Sequence, residues 1–188
     1  SVGRGTGRGC VCWCDCGTAG RVVGREYRRR SPKNVVDEIE MLQNKYGESH
    51  FAFYDDAFTI NPERVGKICG EIRQRKLAIR WDCEARVDMV NKSLLQKMSA
   101  AGCMAVWLGV ESGSQLIIDR MHKKIKLDQT RSAFKAAREL GIMTIANVVL
   151  GFPGETEQTA WETINFIKEL NPGDVGFYIA TPYPGTPL

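Results

Sequence analysis

Histidine is almost missing from this chain. Only His50 and His122 occur in 188 residues, which excludes a metal centre built on several imidazoles. Long apolar runs are missing too. None reaches the ~18 residues that a membrane-spanning helix needs, and no leader with a basic start and an apolar middle is read at the front, so a cytoplasmic location is expected. An even cysteine framework is lacking: there are seven cysteines, and an odd number without a secretion signal argues for a reducing compartment rather than a disulfide scaffold. The glycines at 3, 5, 7 and 9 do not form the G-x-G-x-x-G of a dinucleotide site, because the third position of either frame is Arg8 or Cys10. A general excess of positive charge is absent as well. Residues 1–33 hold eight basic and two acidic residues, and the remainder holds 18 and 20. The basic excess is therefore confined to one end, and no nucleic-acid partner is expected from it.

What is present is ordinary in amount and regular in order. The apolar fraction of 43% and the charged fraction of 26% suit one globular domain with a full core. The first residue is Ser, so the chain is expected to be a piece of a longer protein. From residue 31 onward helix and strand signals alternate. Ser31-Pro32 reads as an N-cap followed by proline at the first helical position, Val35, Val36, Ile39, Leu42 and Tyr46 fall on one helical face, and Gly47 stops the helix. Asn61-Pro62 starts a second helix with Val65, Ile68, Cys69 and Ile72 on its buried face. Asp128 and Thr156 cap later helices. Strands are expected to begin near 51, 78, 103, 143 and 175, each preceded by a helix. That alternation predicts an α/β fold with a parallel sheet. A complete eight-unit barrel takes ~250 residues, so the expected architecture is a partial parallel (β/α)6 TIM-like barrel, its first strand poorly formed or missing and its last strand truncating the barrel.

The strands tend to end in polar residues or glycine: Asp55-Asp56, Glu84 to Arg86, Glu111-Ser112-Gly113, Gly151 to Glu155 and Thr181-Pro182. In parallel α/β folds the site lies at the carboxyl ends of the strands, so these endings are expected on one rim. Ahead of them stands Cys10-Val-Cys12-Trp-Cys14-Asp-Cys16. Clustered soft thiolates select an iron–sulfur cluster or zinc, although zinc favours four ligands at CxxC-like spacing. Cys69, Cys83 and Cys103 read as core residues, and Trp81 and Trp107 as packing. Arg86 has Asp82, Glu84 and Asp88 within reach as ion-pair partners, and Arg28-Arg29-Arg30 leads into the first helix.

Six stretches in order resemble the core of a radical S-adenosylmethionine (SAM) enzyme. They are Tyr27-Arg-Arg-Arg-Ser-Pro-Lys-Asn-Val-Val-Asp-Glu-Ile-Glu, Phe53-Tyr-Asp-Asp-Ala-Phe-Thr, Trp81-Asp-Cys-Glu-Ala-Arg-Val-Asp, Leu108-Gly-Val-Glu-Ser-Gly-Ser, Gly151-Phe-Pro-Gly-Glu-Thr and Ala180-Thr-Pro-Tyr-Pro-Gly-Thr-Pro-Leu. The branch resembled often carries an upstream cobalamin-binding domain. The resemblance runs from about Cys10 to Leu188, so residues 1–188 are expected to be one core domain in which 1–24 form an atypical cluster-loop region. It implies a [4Fe-4S] cluster held by Cys10, Cys14 and Cys16, with Cys12 as substitute, and reductive cleavage of SAM to a 5′-deoxyadenosyl radical or its use in methyl transfer, methylthio transfer or oxidative cyclisation. It implies SAM contacts at Asp55 and Asp56 for the amino group, Arg86 for the carboxylate, Glu111 and Ser112 for the ribose, and Gly151, Gly154 and Ile179 to Thr181 around adenine. Further implications are cobalamin from an upstream domain and a reductant such as flavodoxin or ferredoxin. Substrate and catalytic residues stay unassigned.

The family's Cys-x3-Cys-x2-Cys motif is broken here. Cys10 and Cys14 fit, but the third position is Gly17 and the cysteine falls one place early, at Cys16. The distance onward to Tyr27 is that of the family, so a local reading-frame error over residues 11–23 would account for the pattern. Two other classes of function are consistent with the sequence: a cluster-deficient, inactive remnant or SAM-binding scaffold with the same barrel, and an acid–base barrel enzyme working through Asp55, Asp56 and Glu111.

Overall fold

The computed structural model describes residues 2–8 and 26–182. Cys10, Cys12, Cys14 and Cys16 lie outside the described residues, as do Gly17 and the segment 183–188. Strand β1 (Val2–Arg4) is followed by a small hairpin of β2 (Gly7–Arg8) and β3 (Arg28–Arg29). Helix α1 (Pro32–Tyr46) then leads to β4 (His50–Phe53), α2 (Pro62–Gln74) to β5 (Arg80–Arg86), and α3 (Lys92–Ala100) to β6 (Cys103–Glu111). The short α4 (Gln115–Arg120) and α5 (Leu127–Glu139) precede β7 (Met143–Leu150), and α6 (Glu157–Leu170) precedes β8 (Asp174–Ile179). The main sheet has six strands in the order β1-β4-β5-β6-β7-β8, every neighbouring pair parallel. This is the partial TIM-like barrel expected from the alternation.

Local chemistry sets the helix ends. Ser31 accepts from the Asn34 amide at 3.2 Å, Asn61 from Arg64 at 2.8 Å and Asn91 from Leu94 at 2.9 Å, each satisfying a donor that the first helical turn leaves free. Thr156 does the same for Thr159 at 3.3 Å. Asp128 is a correction. The helix begins at Leu127 after Lys126, so Asp128 sits inside the first turn and pairs with Arg131 at 2.8 Å instead of capping. There it still favours the positive end of the helix dipole.

The core lies between the helices and the outer face of the sheet. Phe53 and Phe58 stack at 4.7 Å between centroids, and Trp81 packs edge-on to both, its indole N–H donating to the Ala101 carbonyl at 2.8 Å. Cys69, Cys83 and Cys103 are buried free thiols in this layer, as expected. Burial pushes the Cys69 thiol up to about 12, and the neighbouring Cys103 thiol together with burial pushes Cys83 up, so neither is a reactive thiolate. Gly102, at φ +92°, admits the start of β6: a Cβ there would stand 2.2 Å from the Ile79 carbonyl oxygen.

Two expectations change. The first strand, expected to be poorly formed or missing, is present as a short element. It is three residues, Val2–Arg4, ahead of the cysteines and in parallel register with Phe51–Phe53. It carries no alternating apolar signal because backbone pairing holds it, and Gly3 lies under the Tyr54 ring, which a Cβ would meet at 2.2 Å. The strand expected from about residue 78 starts at Arg80 and runs to Arg86. Its inner face therefore carries Asp82, Glu84 and Arg86, opposite the buried Trp81, Cys83 and Ala85.

Candidate functional site

At the carboxyl end of β4, Asp55 is buried and its side chain turns to the N-terminal segment. Its carboxylate accepts from the amides of Thr6 and Gly7, the latter at 3.0 Å, and from the Thr6 hydroxyl. From the other side Arg64, buried on α2, donates to the Thr6 carbonyl at 2.8 Å and the Arg30 carbonyl at 3.0 Å, and reaches the Tyr27 hydroxyl at 3.4 Å. The Arg30 amide also donates to the Thr6 carbonyl, at 3.0 Å. Both roots of the cysteine segment are thus fixed at one point, where β2 and β3 pair as Gly7↔Arg29 and Arg8↔Arg28. Asp56, next in sequence, is exposed; partial burial and the Asp55 charge raise its pKa above the usual carboxylate range.

A second group forms at the ends of β5 and β6. Arg86 makes a two-pronged contact with Asp88, 2.9 Å at each prong, and donates to the Lys123 carbonyl at 2.8 Å. Of the partners open to it in sequence, Asp88 is the one found. Lys123 pairs in turn with Glu111 at 2.9 Å, both side chains largely buried. Glu111 stands at φ +67°, a left-handed conformation that non-glycine residues adopt only where surrounding structure compels it, and such strain clusters at functional sites. Ser112 points elsewhere. Its fully buried hydroxyl lies 3.0 Å from Thr163 on α6 and accepts from the Ser114 amide. The adjoining Gly113 lets α6 approach so closely that a Cβ would stand 2.6 Å from the Thr163 Cα. Ser112 therefore joins β6 to α6.

The third group is the Gly151 to Gly154 turn. Gly151 stands at φ +76° and its amide donates to Glu155; Gly154 stands at φ +87° beneath the Arg120 guanidinium. Thr181 is exposed and donates to the Ile179 carbonyl at 3.1 Å. The rim thus carries the expected residues, but the side chains of Asp55, Arg86 and Ser112 already have protein partners. Sequence reasoning missed Thr6, Arg64 and Lys123. Arg64 sits among the apolar positions of α2, a charge on a buried face, and that was the available signal; Lys123 is hidden in a run of basic residues.

Below the rim, the inner faces of β4 to β8 enclose a cavity of about 340 Å³ bordered by Tyr54, Asp82, Glu84, Trp107, Asn147 and Tyr178. Trp107 corrects another expectation. It is half-buried on this inner wall, its indole N–H donating to Asp82 at 3.2 Å, rather than packed in the helix-side core. Burial raises the pKa of Asp82, and burial with the charges of Asp56 and Asp82 raises that of Glu84.

A sequence profile described as the Radical SAM superfamily matches residues 1–167. Among curated relatives, an uncharacterized methyltransferase of Pyrococcus horikoshii is 36% identical over 183 residues, covering 97% of this chain and 40% of that protein. The anaerobic magnesium-protoporphyrin IX monomethyl ester cyclase of Rubrivivax gelatinosus is 32% identical over 166 residues, covering 87% and 30%. Among solved structures, the radical S-adenosylmethionine methyltransferase TsrM of Kitasatospora setae, with cobalamin and a [4Fe-4S] cluster bound, superposes with a TM-score of 0.91 at 22% identity, covering 99% of this chain and 35% of that one. The chain spans less than half the length of each of these proteins. No helix among the described residues is long and apolar enough to cross a membrane.

Proposed function

The chain belongs to the radical SAM superfamily, and from that premise we propose that it is the core of a longer cytoplasmic enzyme that uses SAM for methyl transfer or cyclisation. The observation that carries this reading is the double grip on Thr6-Gly7 by Asp55 and Arg64, which fixes the base of the cysteine segment beside the rim. The donor chemistry fits an iron–sulfur cluster in kind. The soft ligands this reading calls on are Cys10, Cys14 and Cys16 on the segment rooted there, the set that the family resemblance implies. When bound, the cluster supplies the electron for reductive cleavage of SAM's sulfonium bond.

The chain's own residues position and enclose. Asp55 and Arg64 hold the root of the ligand segment. Glu111, oriented by Lys123 and strained in backbone, offers a carboxylate to ribose hydroxyls. Asp56, Gly151 and Thr181 border the space for the amino group and adenine, and Gly154 keeps its turn tight. Arg86 supports this rim through Asp88 and Lys123 and supplies positive charge toward the SAM carboxylate. The whole protein's cobalamin belongs to the same proposal, supported by the cobalamin-bound Kitasatospora setae structure, and so does a reductant of flavodoxin or ferredoxin type.

A second reading, a barrel that has lost its cluster, is favoured by Gly17 in the third ligand position. Anaerobic reconstitution of the parent and of Gly17→Cys separates the two. The proposal expects roughly four iron atoms per chain and release of 5′-deoxyadenosine or S-adenosylhomocysteine from SAM by the parent. Iron and turnover in Gly17→Cys alone would establish the cluster-deficient reading; neither in both would overturn the family chemistry for this chain.

A further inference from the structure

The cavity inside the sheet has an unbalanced wall. Its charged groups are both acids, the Asp82 and Glu84 carboxylates, and its neutral polar groups are the Asn147 amide and the Tyr54 and Tyr178 hydroxyls. The indole N–H of Trp107 is already given to Asp82. Among the described residues no lysine or arginine forms an ion pair with Asp82 or Glu84; Arg86, next along the inner face, is turned to Asp88. The Asn147 oxygen is buried and accepts nothing, although buried polar atoms are ordinarily satisfied. Gly176 keeps the space beside it open, since a Cβ there would stand 3.1 Å from that oxygen and 3.0 Å from the Tyr178 ring. Tyr54, Trp107 and Tyr178 supply aromatic surface around these acceptors.

We infer that this cavity receives a protonated nitrogen group of the substrate, an ammonium, amidinium or guanidinium carried on a small apolar or aromatic frame. The inference rests on reading the barrel interior as the reaction chamber. A cation donates to the Asn147 oxygen and to both carboxylates, restores charge balance in a site that two acids otherwise share, and lies against ring faces that attract it. An anion of the same shape meets two carboxylates, and no positive charge among the described lining residues offsets them. The raised pKa values of Asp82 and Glu84 agree with a site that lacks its counter-charge. The volume suits a single-ring group.

Benzamidinium and benzoate share a ring and differ in charge, so calorimetric titration of the chain with each tests the inference without needing the cluster. Saturable binding of benzamidinium is expected, weakened at least tenfold in Glu84→Gln and in Asn147→Leu, with no binding of benzoate; circular dichroism checks that both variants fold. Equal binding of benzoate, unchanged affinity in folded Glu84→Gln, or no saturable binding of benzamidinium would overturn it. SAM cleavage measured on the same reconstituted sample keeps the two readings apart. Benzamidinium binding without SAM cleavage refutes the radical SAM chemistry and leaves the cation site standing. SAM cleavage without benzamidinium binding refutes the cation site alone.

Discussion

Replacing Asp55 with Asn changes one oxygen to an amide nitrogen and almost no volume. In the parent, the buried carboxylate takes three donors: the amides of Thr6 and Gly7 and the Thr6 hydroxyl. The amide side chain of Asn retains one acceptor oxygen and turns two hydrogens toward groups that are themselves donors. Hydrogen bonds to a charged acceptor contribute about 1.5–3 kcal/mol each, and a buried donor left unpaired costs about as much, so a loss of roughly 2–4 kcal/mol is expected at this turn. The loss should be local. Strand β1 is a three-residue edge, and such elements open without global unfolding. Amide hydrogen exchange reads it directly. At 1.4 kcal/mol per tenfold, exchange at Thr6 and Gly7 should accelerate by about 30-fold or more in Asp55→Asn, while Val106 and Ala146 in the central strands keep parent rates. Thr6→Val, which removes only the hydroxyl donor, should give a smaller acceleration at the same amides. Iron retained after reconstitution should fall in the order parent, Thr6→Val, Asp55→Asn. Unchanged exchange at Thr6 and Gly7 in Asp55→Asn would refute the reasoning, because the grip would then not depend on the carboxylate.

Gly102→Ala forces a side chain into a left-handed backbone and against the Ile79 carbonyl; it should cost about 3 kcal/mol and lower Tm by roughly 6–12 °C in a thermal melt. Glu84→Gln should stabilise the fold at neutral pH. Because the folded-state pKa of Glu84 is raised, its contribution is harmless at pH below the usual carboxylate range and becomes destabilising as pH rises through the folded value. The Tm gain of the variant should therefore be present at pH 7.5 and vanish near pH 4; a gain of equal size at both would contradict the assignment. Cys69, Cys83 and Cys103 should stay unmodified by iodoacetamide at pH 8 until denaturant is added, as mass mapping will show, since their thiols are buried and those of Cys69 and Cys83 are pushed upward.

The helix–strand alternation was legible because each helix carries its own stop and start. Ser31, Asn61 and Thr156 act as caps at the positions their residue types suggest, and Gly47, Gly102 and Gly141 take the positive φ that ends or follows a helix. Strand β1 was not legible: a Val-Gly-Arg triplet has no period, and its place depends on β4, some fifty residues later. The rim could be located from the polar strand endings, but not the direction in which each side chain turns. Asp55 and Ser112 look alike as rim residues, yet one grips a turn and the other joins a strand to a helix. Trp107 was misread because strand alternation in a sheet covered on one side only does not say which side faces the helices. Asp128 was misplaced by two residues because Lys126 and Gln129 close the turn through the Lys126 amide and the Gln129 side chain, bonded at 2.8 Å, which requires no capping side chain at the start.

The β2–β3 pairing gives the barrel a kind of socket. The segment between residues 9 and 25 leaves and returns through a two-residue hairpin whose register is set by Gly7↔Arg29 and Arg8↔Arg28, and by Asp55 and Arg64 behind it. Closing a loop costs entropy that grows only slowly with its length, so a change of a residue or two in the chain length between these roots should cost little closure entropy. The contacts that hold the two roots come from Thr6, Gly7, Arg30, Asp55 and Arg64, outside the stretch in which the cysteine spacing is altered. The altered cysteine spacing of this chain leaves that grip in place.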